Sequence, residues 1–310
     1  MWFHLVIIVV CLLIFERASN YLVEGLGAIS QNFGISEAVL GASIAAMGSS
    51  APEFGSSVFS VVQGTPTIGL GTIVGSAIFN VTIIVGGAAI FGKYAIEKRV
   101  FYRDGLFYLF TVLVATLSIL DGNLSQIEAF AWSVIFTGYL AWLVYDARRG
   151  KPVPKESFEP ISSERALVYV VLSSLAIALA ARYLVDQVGI LFPEEETQAI
   201  FSLIVLAAGT SVPDLFTSLQ AAKKGMGSMA VSNALGSNIF DILACLGIPF
   251  SFKAAPEIEA AISTSVLSLL ASVIVALAIL RFKWSVDRRE ALLLFGVYGV
   301  FVTLILLGIF

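Results

Sequence analysis

The sequence predicts an all-α polytopic membrane protein: ten transmembrane helices in two inverted five-helix repeats, with broken helices at the midplane. Three observations lead to this fold class: an apolar composition, recurring apolar windows of membrane-spanning length, and two polar motifs that repeat 161 residues apart. Of the 310 residues, 58% are hydrophobic and 13% are charged, and the mean hydropathy is +0.94. This composition excludes a soluble globular protein and leaves no room for a soluble domain of useful size.

Apolar windows recur along the whole chain at the length of about 20 residues that crosses a hydrocarbon core. We expect helices rather than a barrel, because each helix satisfies its own backbone hydrogen bonds in lipid. The first window has no basic leader and no convincing cleavage site, so it is interpreted as a retained helix. The predicted spans are 3–29, 36–62, 67–91, 101–120, 125–146, 166–191, 198–222, 228–251, 260–281 and 289–309.

A polar connector with three prolines and many charges, Ala147 to Glu164, divides these spans into two groups of five. We expect a first repeat at 1–146, a cytoplasmic linker at 147–165 and a second repeat at 166–310. If both termini are external, 15 of the 18 basic residues, including Arg103, fall in cytoplasmic loops. Basic residues collect on that side, so the charge pattern predicts a cell-membrane protein with external termini.

The two halves carry matching motifs. The segment Gly48 to Asn80 aligns without a gap with Gly209 to Asp241, which pairs GSSAPE with GTSVPD and GSAIFN with GSNIFD. Because five spans is an odd number, the second copy enters the membrane inverted. Inverted repeats are typical of secondary transporters, whose sites form near the bilayer midplane where the repeats meet.

Each motif places a proline beside an acid about midway along its span. Proline lacks an N–H and clashes with the carbonyl four residues earlier, so we expect Pro52 and Pro213 to free the carbonyls of Gly48 and Gly209. A free carbonyl in lipid is tolerated only where the backbone lines a cavity or is otherwise satisfied. Glu53 and Asp214 follow the two prolines, and an intramembrane carboxylate is a functional-site candidate by default.

Further oxygen-bearing side chains stand at helical spacing and therefore share helix faces with these acids. They form four sets: Ser49, Glu53 and Ser56; Thr210, Asp214 and Thr217; Thr72, Ser76 and Asn80; and Asn233, Ser237 and Asp241. The inventory holds three carboxylates and no basic residue. Calcium takes 6–8 oxygen ligands, and sodium uses similar neutral oxygens at the ends of unwound helix segments.

Other kinds of metal site are disfavoured. His4 is the only histidine, which argues against a His-based zinc site. Cys11 and Cys245 both fall in predicted helices and are interpreted as packed thiols. The oxygen-only set therefore predicts a site for hard cations.

The two motif pairs resemble the alpha repeats of the sodium/calcium exchangers of the cation/calcium antiporter superfamily. TIVGSAIFN and GMGSMAVSNALGSNIFD are most similar to the potassium-dependent branch, whereas GSSAPE departs from the GN-x-x-E pattern of the calcium/proton branch. The short central connector indicates a minimal prokaryotic member. The resemblance implies an antiporter, not an enzyme, that exchanges calcium for sodium by alternating access and is electrogenic. It implies no cofactor, no nucleic-acid partner and no obligatory protein partner. The expected partners are the calcium and sodium ions and the lipid bilayer.

The resemblance also implies a ligand set. Glu53 and Asp214 match the central calcium ligands that are shared with sodium. The flanking oxygens it implies are Ser49, Ser50, Thr210, Ser211, Ser76, Asn80, Ser237 and Asp241, with the carbonyls of Ala46 and Ala207 for sodium. Asp241 matches a position tied to potassium dependence in that branch, but some prokaryotic exchangers also carry Asp there. Potassium coupling therefore stays open.

Several alternatives remain beside this interpretation. Within the antiporter class they are calcium/proton exchange and a potassium-coupled cycle. Outside that class, the same oxygens would suit a cation channel, and two membrane acids would suit an intramembrane aspartyl protease, although neither acid lies in a GxGD motif. Glu24 and Asp186 are repeat partners near span ends with an open gating role. Gly75 and Gly236 are expected to be close-packing positions.

Overall fold

The computed structural model describes residues 2–91, 93–147, 149, 161–191, 200–255 and 258–308. It is an all-α bundle with one small two-stranded antiparallel sheet, in which β1 (Tyr94–Ala95) pairs with β2 (Ser285–Val286). The predicted linker at 147–165 lies largely outside the described residues. The helices, in chain order, are α1 Trp2–Phe33, α2 Glu37–Ser49, α3 Ala51–Gln63, α4 Pro66–Ala88, α5 Lys98–Ile119, α6 Gln126–Asp146, α7 Ser163–Leu191, α8 Ser202–Thr210, α9 Val212–Lys223, α10 Gly227–Phe252, α11 Ala260–Lys283 and α12 Arg288–Leu306.

Eight of these helices within the described residues are long and apolar enough to cross a membrane, and the bent pair α8 and α9 makes a ninth. The all-α membrane architecture is therefore confirmed, although the sequence predicted ten spans. The difference lies at the predicted span 36–62, which is split into α2 and the 13-residue α3. A helix of that length rises only about 20 Å and does not cross a bilayer alone.

Each of the two prolines follows a break in its helix. The first break is at Ser50 (φ −89°, ψ 15°) and the second at Ser211 (φ −81°, ψ −3°), again 161 residues apart. Pro52 and Pro213 lie in the first turn of α3 and α9, where a missing N–H has no helical partner to lose. The broken helices that the sequence predicts are thus present, and each break lies one residue before the restarted helix and two before its proline.

Wide π-helical turns also recur in the two halves, with starts 160 and 161 residues apart. One occupies Gly41–Ala45 in α2 and its counterpart Phe201–Leu206 overlaps the start of α8. A second pair occupies Asn80–Ile84 in α4 and Asp241–Leu246 in α10. Such turns insert an extra residue and re-aim the side chains around them, and they occur frequently at functional sites. Two of the predicted site residues, one in each half, therefore begin a π-helical turn.

The glycines of α4 and α10 allow close helix packing. A methyl group added at Gly75 would overlap the carbonyl oxygen of Leu203 in α8, and one added at Gly236 would lie 2.6 Å from the Cα of Ala42 in α2. Each half thus packs its central helix tightly against the broken helix of the other half. Both glycines are close-packing positions, as the sequence predicts.

We predict that Gly236→Ala lowers the free energy of unfolding by about 1–3 kcal/mol, because the backbone of α2 must move to admit the methyl group. Denaturant unfolding in detergent measures this change. The matched control is Gly296→Ala in α12, where nothing lies within 4 Å of the added methyl group. That control should be neutral or stabilising by up to about 1 kcal/mol, since alanine forms helix better than glycine. Equal losses in both variants would contradict the packing role.

Arg103 does not lie in a solvated loop as the basic-residue count assumed. It is buried near the start of α5, where its guanidinium donates to Asp104 at 2.6 Å and to Asp146 at 3.0 Å. Tyr139 and Ser232 donate to the same Asp104 carboxylate at 2.9 and 2.8 Å. This network ties α5 and α6 to α10. The sequence could not reveal it, because Tyr139, Asp146 and Ser232 are far from Arg103 and Asp104 in the chain.

The outer helices face lipid. Large apolar side chains of α1 and α7 are more than half exposed, among them Val6, Leu13, Leu172 and Leu179. An apolar surface of this extent belongs against acyl chains. Both cysteines are free and buried, in agreement with their interpretation as packed thiols.

Candidate cation site

Three carboxylates from three helices meet in the interior. Glu53 of α3, Asp214 of α9 and Asp241 of α10 each place a carboxylate oxygen within 4.8 Å of the other two. All three residues are fully buried. The breaks at Ser50 and Ser211 bring the first turns of α3 and α9, and hence two of the acids, to the level of the π-helical turns in α4 and α10.

Serine hydroxyls support the two motif acids in matching ways. Ser76 of α4 donates to Glu53 at 3.4 Å, and its repeat partner Ser237 of α10 donates to Asp214 at 2.8 Å. Ser76 also shares a hydrogen bond of 2.6 Å with Ser211 at the second helix break. Residues of both halves therefore form one continuous cluster.

Asp214 accepts more hydrogen bonds than Glu53 does. In addition to Ser237, the amide of Asn80 donates to its Oδ2 at 3.2 Å and Ser50 donates to the same oxygen at 3.4 Å. Ser49 interacts with Asp214, and Thr210 interacts with Glu53. Asp241 is contacted by the Cys245 thiol at 3.6 Å and by Ser50. All side-chain residues of the predicted ligand set are thus near the three carboxylates.

Three buried oxygens of this cluster lack a hydrogen-bond partner among the residues that the structure describes: Oε2 of Glu53, Oδ2 of Asp241 and Oδ1 of Asn80. Burying a polar atom without a partner is costly, so native structures rarely leave one unpaired without a functional reason. Each of these atoms is an oxygen with free lone pairs. Together they are suited to coordinate a hard cation.

No basic side chain of the described residues pairs with these acids. The hydrogen-bond partners of the three carboxylates are serine and threonine hydroxyls, an asparagine amide, a thiol and backbone groups. Like charges this close in a low-dielectric interior repel strongly. Positive charge must therefore come from bound cations or from protons.

The carbonyls of Ala46 and Ala207 lie one helical turn before the breaks, and they are not free. The carbonyl of Ala46 accepts from the N–H of Ser50 at 3.0 Å and from the hydroxyl of Ser49 at 3.3 Å. The carbonyl of Ala207 accepts from the N–H of Ser211 at 3.1 Å and from the hydroxyl of Thr210 at 3.2 Å. A sodium ion there would compete with the hydroxyl groups, which are able to rotate away.

Four other residues on the predicted faces lie beside the cluster or away from it. Thr72 donates to its own helix at Ile68, and Thr217 contacts Ser19 of α1. Asn233 donates to the backbone carbonyl of Asp214 at 3.4 Å, which supports the site from behind. Ser56 lines a separate cavity.

That cavity has a volume of about 500 Å³ and lies between α3, the start of α4 and α7. It extends along α3 to Pro52, next to the buried Glu53, and Arg182 and Asp186 line its α7 side. Glu24 instead pairs with Lys224 at 2.8 Å, between α1 and the end of α9. The two repeat-related acids, Glu24 and Asp186, thus occupy different environments.

Sequence reasoning missed Asn238 and Tyr108. Asn238 lies three residues before Asp241 and donates to the hydroxyl of Tyr108 at 2.9 Å. Its own side-chain oxygen accepts from Asn80 at 3.0 Å. The GSNIFD motif contains Asn238, but its repeat partner in GSAIFN is an alanine, so matching the two motifs drew no attention to it.

The family model described as sodium/calcium exchanger protein matches residues 3–145 and 165–307. The sodium/calcium exchanger MaX1 of Methanosarcina acetivorans is 27% identical over 97% of this chain and 98% of its own length. A solved structure of the sodium-calcium exchanger NCX_Mj, soaked with Na⁺ and Ca²⁺, has a TM-score of 0.82 and 26% identity, and covers 97% of this chain and 98% of that one. The sodium/potassium/calcium exchanger 2 of Gallus gallus is 33% identical, over 47% of this chain and 23% of its own length.

Proposed function

The chain belongs to the sodium/calcium exchanger family, and we propose that it exchanges the two ions at the cluster of Glu53, Asp214 and Asp241. It is a multi-pass membrane antiporter and not an enzyme, and calcium and sodium are its transported substrates. Its similarity to prokaryotic exchangers extends over almost the whole chain, as expected of a minimal member. The observation that carries the site assignment is the meeting of three buried carboxylates without a basic partner.

In this proposal Glu53 and Asp214 are the central ligands, because they come from the two broken helices and face each other across the cluster. The flanking oxygens are those of Ser49, Ser50, Ser76, Asn80, Thr210, Ser211, Ser237 and Asp241, with the carbonyls of Ala46 and Ala207 serving sodium. Calcium and sodium both prefer oxygen ligands. Since they would use the same oxygens, occupancy by one ion excludes the other, which is the requirement for antiport.

The ratio of sodium to calcium ions determines how much charge crosses the membrane in each cycle. If three sodium ions exchange for one calcium ion, one net charge crosses the membrane in each cycle. Moving that charge is worth about 2.3 kcal/mol per 100 mV of membrane potential. Exchange would then be electrogenic, as the family resemblance implies.

The local structure supports two inverted repeats. Breaks, first-turn prolines and π-helical turns recur 161 residues apart, and the family model matches two segments that coincide with the predicted halves 1–146 and 166–310. Counting α2 with α3, and α8 with α9, as single broken spans restores ten. The basic-residue pattern then puts both termini outside and the linker at 147–165 in the cytoplasm.

Alternating access requires movement, because the cluster is buried from both sides. The long helices α1 and α7, with 32 and 29 residues, are the candidates for this movement. Each is more than about 40 Å long at 1.5 Å per residue and must tilt in the bilayer. They pack against each other, for example through Tyr21 and Tyr169, and sliding them would open the path along the cavity at Pro52.

The test of the function is calcium uptake into proteoliposomes loaded with sodium. We expect uptake to fall to the passive leak when the internal sodium is replaced by choline. Uptake that persists with choline would point instead to a channel, which conducts without a counter-ion. Uptake that follows a pH gradient and ignores sodium would point to calcium/proton exchange.

Potassium coupling is tested by Asp241→Asn. The similarity to the sodium/potassium/calcium exchanger covers under half of this chain, and an acid at position 241 also suits a potassium-independent site. We predict that wild-type exchange is unchanged, within about twofold, when potassium is replaced by choline on both sides. Asp241→Asn should weaken exchange about tenfold or more, because it removes one of three charges from the cation site. A wild-type dependence on potassium that disappears in Asp241→Asn would instead support the potassium-coupled alternative.

A further inference from the structure

Asn238 lies where the two repeats touch. It is fully buried in α10, and its side-chain NH₂ donates to the backbone carbonyl of Ala77 in α4 at 3.0 Å. Ala77 is its own repeat partner, 161 residues earlier. One half of the molecule therefore has an amide at the position where the other half has only a methyl group.

The surroundings of Asn238 determine which way its amide points. A backbone carbonyl only accepts hydrogen bonds, so the NH₂ group must face Ala77, and the same NH₂ donates to Tyr108 at 2.9 Å. The side-chain oxygen is left on the opposite side, where it accepts from the NH₂ of Asn80 at 3.0 Å. The orientation follows from the chemistry of the carbonyl and not from the assignment of similar atoms.

Asn238 and Asp214 together determine the orientation of Asn80. An oxygen acceptor at Asn238 requires the NH₂ of Asn80 to face it, and that NH₂ also donates to Asp214 at 3.2 Å. The remaining atom, Oδ1 of Asn80, is buried and has no partner. If the amide were flipped, its N–H groups would occupy the position of Oδ1, where they would repel a cation, and its oxygen would face the oxygens of Asp214 and Asn238.

We propose that Asn238, held by Tyr108 and the carbonyl of Ala77, is a positioning residue that turns the oxygen of Asn80 toward the transported cation. The repeat relation explains why an orienting amide is present at only one of the two equivalent positions, 77 and 238. The repeat equivalent of Asn80 is Asp241, whose carboxylate has an oxygen at either end and needs no fixed orientation. The residue that would orient it is Ala77, which has no polar side chain.

This inference rests on the proposed function, because it takes Asn80 as a cation ligand. The test is a double-mutant cycle, read as the calcium Kd by isothermal titration calorimetry of purified protein. We expect Asn238→Ala to raise the Kd about tenfold, the effect of losing one oriented hydrogen-bonded ligand. In an Asn80→Asp background, where either orientation presents an oxygen, the same Asn238→Ala change should alter the Kd less than about twofold.

A tenfold loss in both backgrounds would overturn the proposal, since Asn238 would then act independently of the amide of Asn80. The proposed function has its own readout: if Asn80→Ala leaves the Kd unchanged, the ligand assignment of Asn80 fails first. If Asn80→Ala weakens binding and Asn238→Ala does not, only the positioning role is wrong.

Tyr108→Phe gives a milder version of the test and covers the case in which Asn238→Ala does not fold. It removes one acceptor from the NH₂ of Asn238 and should raise the calcium Kd about threefold, again only when Asn80 is present. The matched control is Tyr94→Phe, which removes a buried hydroxyl that donates to Val85 at 2.7 Å away from the cluster. Equal effects of the two tyrosine variants on the Kd would contradict the proposal.

Discussion

Glu53→Gln is expected to reduce calcium/sodium exchange by at least about 100-fold. The reason is weaker ion binding, and a 100-fold loss of affinity corresponds to about 3 kcal/mol. A buried hard-cation site depends on anionic oxygens, and Glu53 contributes one of three charges and an unpartnered oxygen. Glutamine has the same shape but no charge. Initial rates of calcium uptake into sodium-loaded proteoliposomes measure the loss.

The same variant should remain folded. The side-chain partners of Glu53 are Ser76, at 3.4 Å, and Thr210, and neutralising Glu53 relieves repulsion from Asp214 and Asp241. Without ions, its thermal midpoint should equal or exceed that of the wild type, and the rise produced by added calcium should vanish. Glu16→Gln, which neutralises a partly exposed acid on α1 that pairs with Arg17 and lies outside the cluster, is the matched control and should exchange normally. Normal exchange by Glu53→Gln would refute the site assignment.

Asp214→Asn is expected to abolish exchange to the same extent, but with a cost in stability. Asp214 accepts from Ser237, Asn80 and Ser50, with both carboxylate oxygens in use. An asparagine has one oxygen, so its NH₂ group must displace one of these donors. We predict a free energy of unfolding about 0.5–1.5 kcal/mol below that of Glu53→Gln, the worth of one hydrogen bond. Denaturant unfolding of the two variants, side by side, checks the difference.

Asp214→Glu is the matched variant for that prediction. It keeps the charge and adds one methylene group, so exchange should persist with a changed calcium affinity. If Asp214→Glu were as inactive as Asp214→Asn, the shape of the carboxylate and not its charge would dominate the site. Asp214→Asn with normal exchange would remove this residue from the central ligands.

The clustering of the candidate residues was largely predictable, because their motif occurs twice in the sequence. Glu53 and Asp214 stand in matching motifs with a proline beside each, and a carboxylate in an apolar span has few roles other than function. Helical spacing then placed Ser76 and Asn80 on one face of the following span, and Asp241 on the matching face of its counterpart in the second half. Local rules of this kind need no knowledge of how distant segments pack.

The features that were missed depend on contacts between distant segments. Asn238 and Tyr108 are 130 positions apart in the chain, and nothing in either local pattern links them. Arg103 was assigned to a loop because nothing near it in the sequence indicates that it pairs with Asp146, which lies in another helix. The breaks lie at Ser50 and Ser211, two residues before the prolines. Each proline is thereby in the first turn of the restarted helix, where its missing N–H has no helical partner to lose.

The central claim, that one carboxylate cluster binds calcium and sodium in competition, is tested most directly by calorimetric titration of purified protein with calcium at several sodium concentrations, with choline keeping the ionic strength constant. We predict that the calcium Kd rises steadily with sodium in the wild type. In Glu53→Gln, both the calcium binding and the effect of sodium should be lost together. A calcium Kd that does not change with sodium, or that is the same in Glu53→Gln as in the wild type, would contradict the claim.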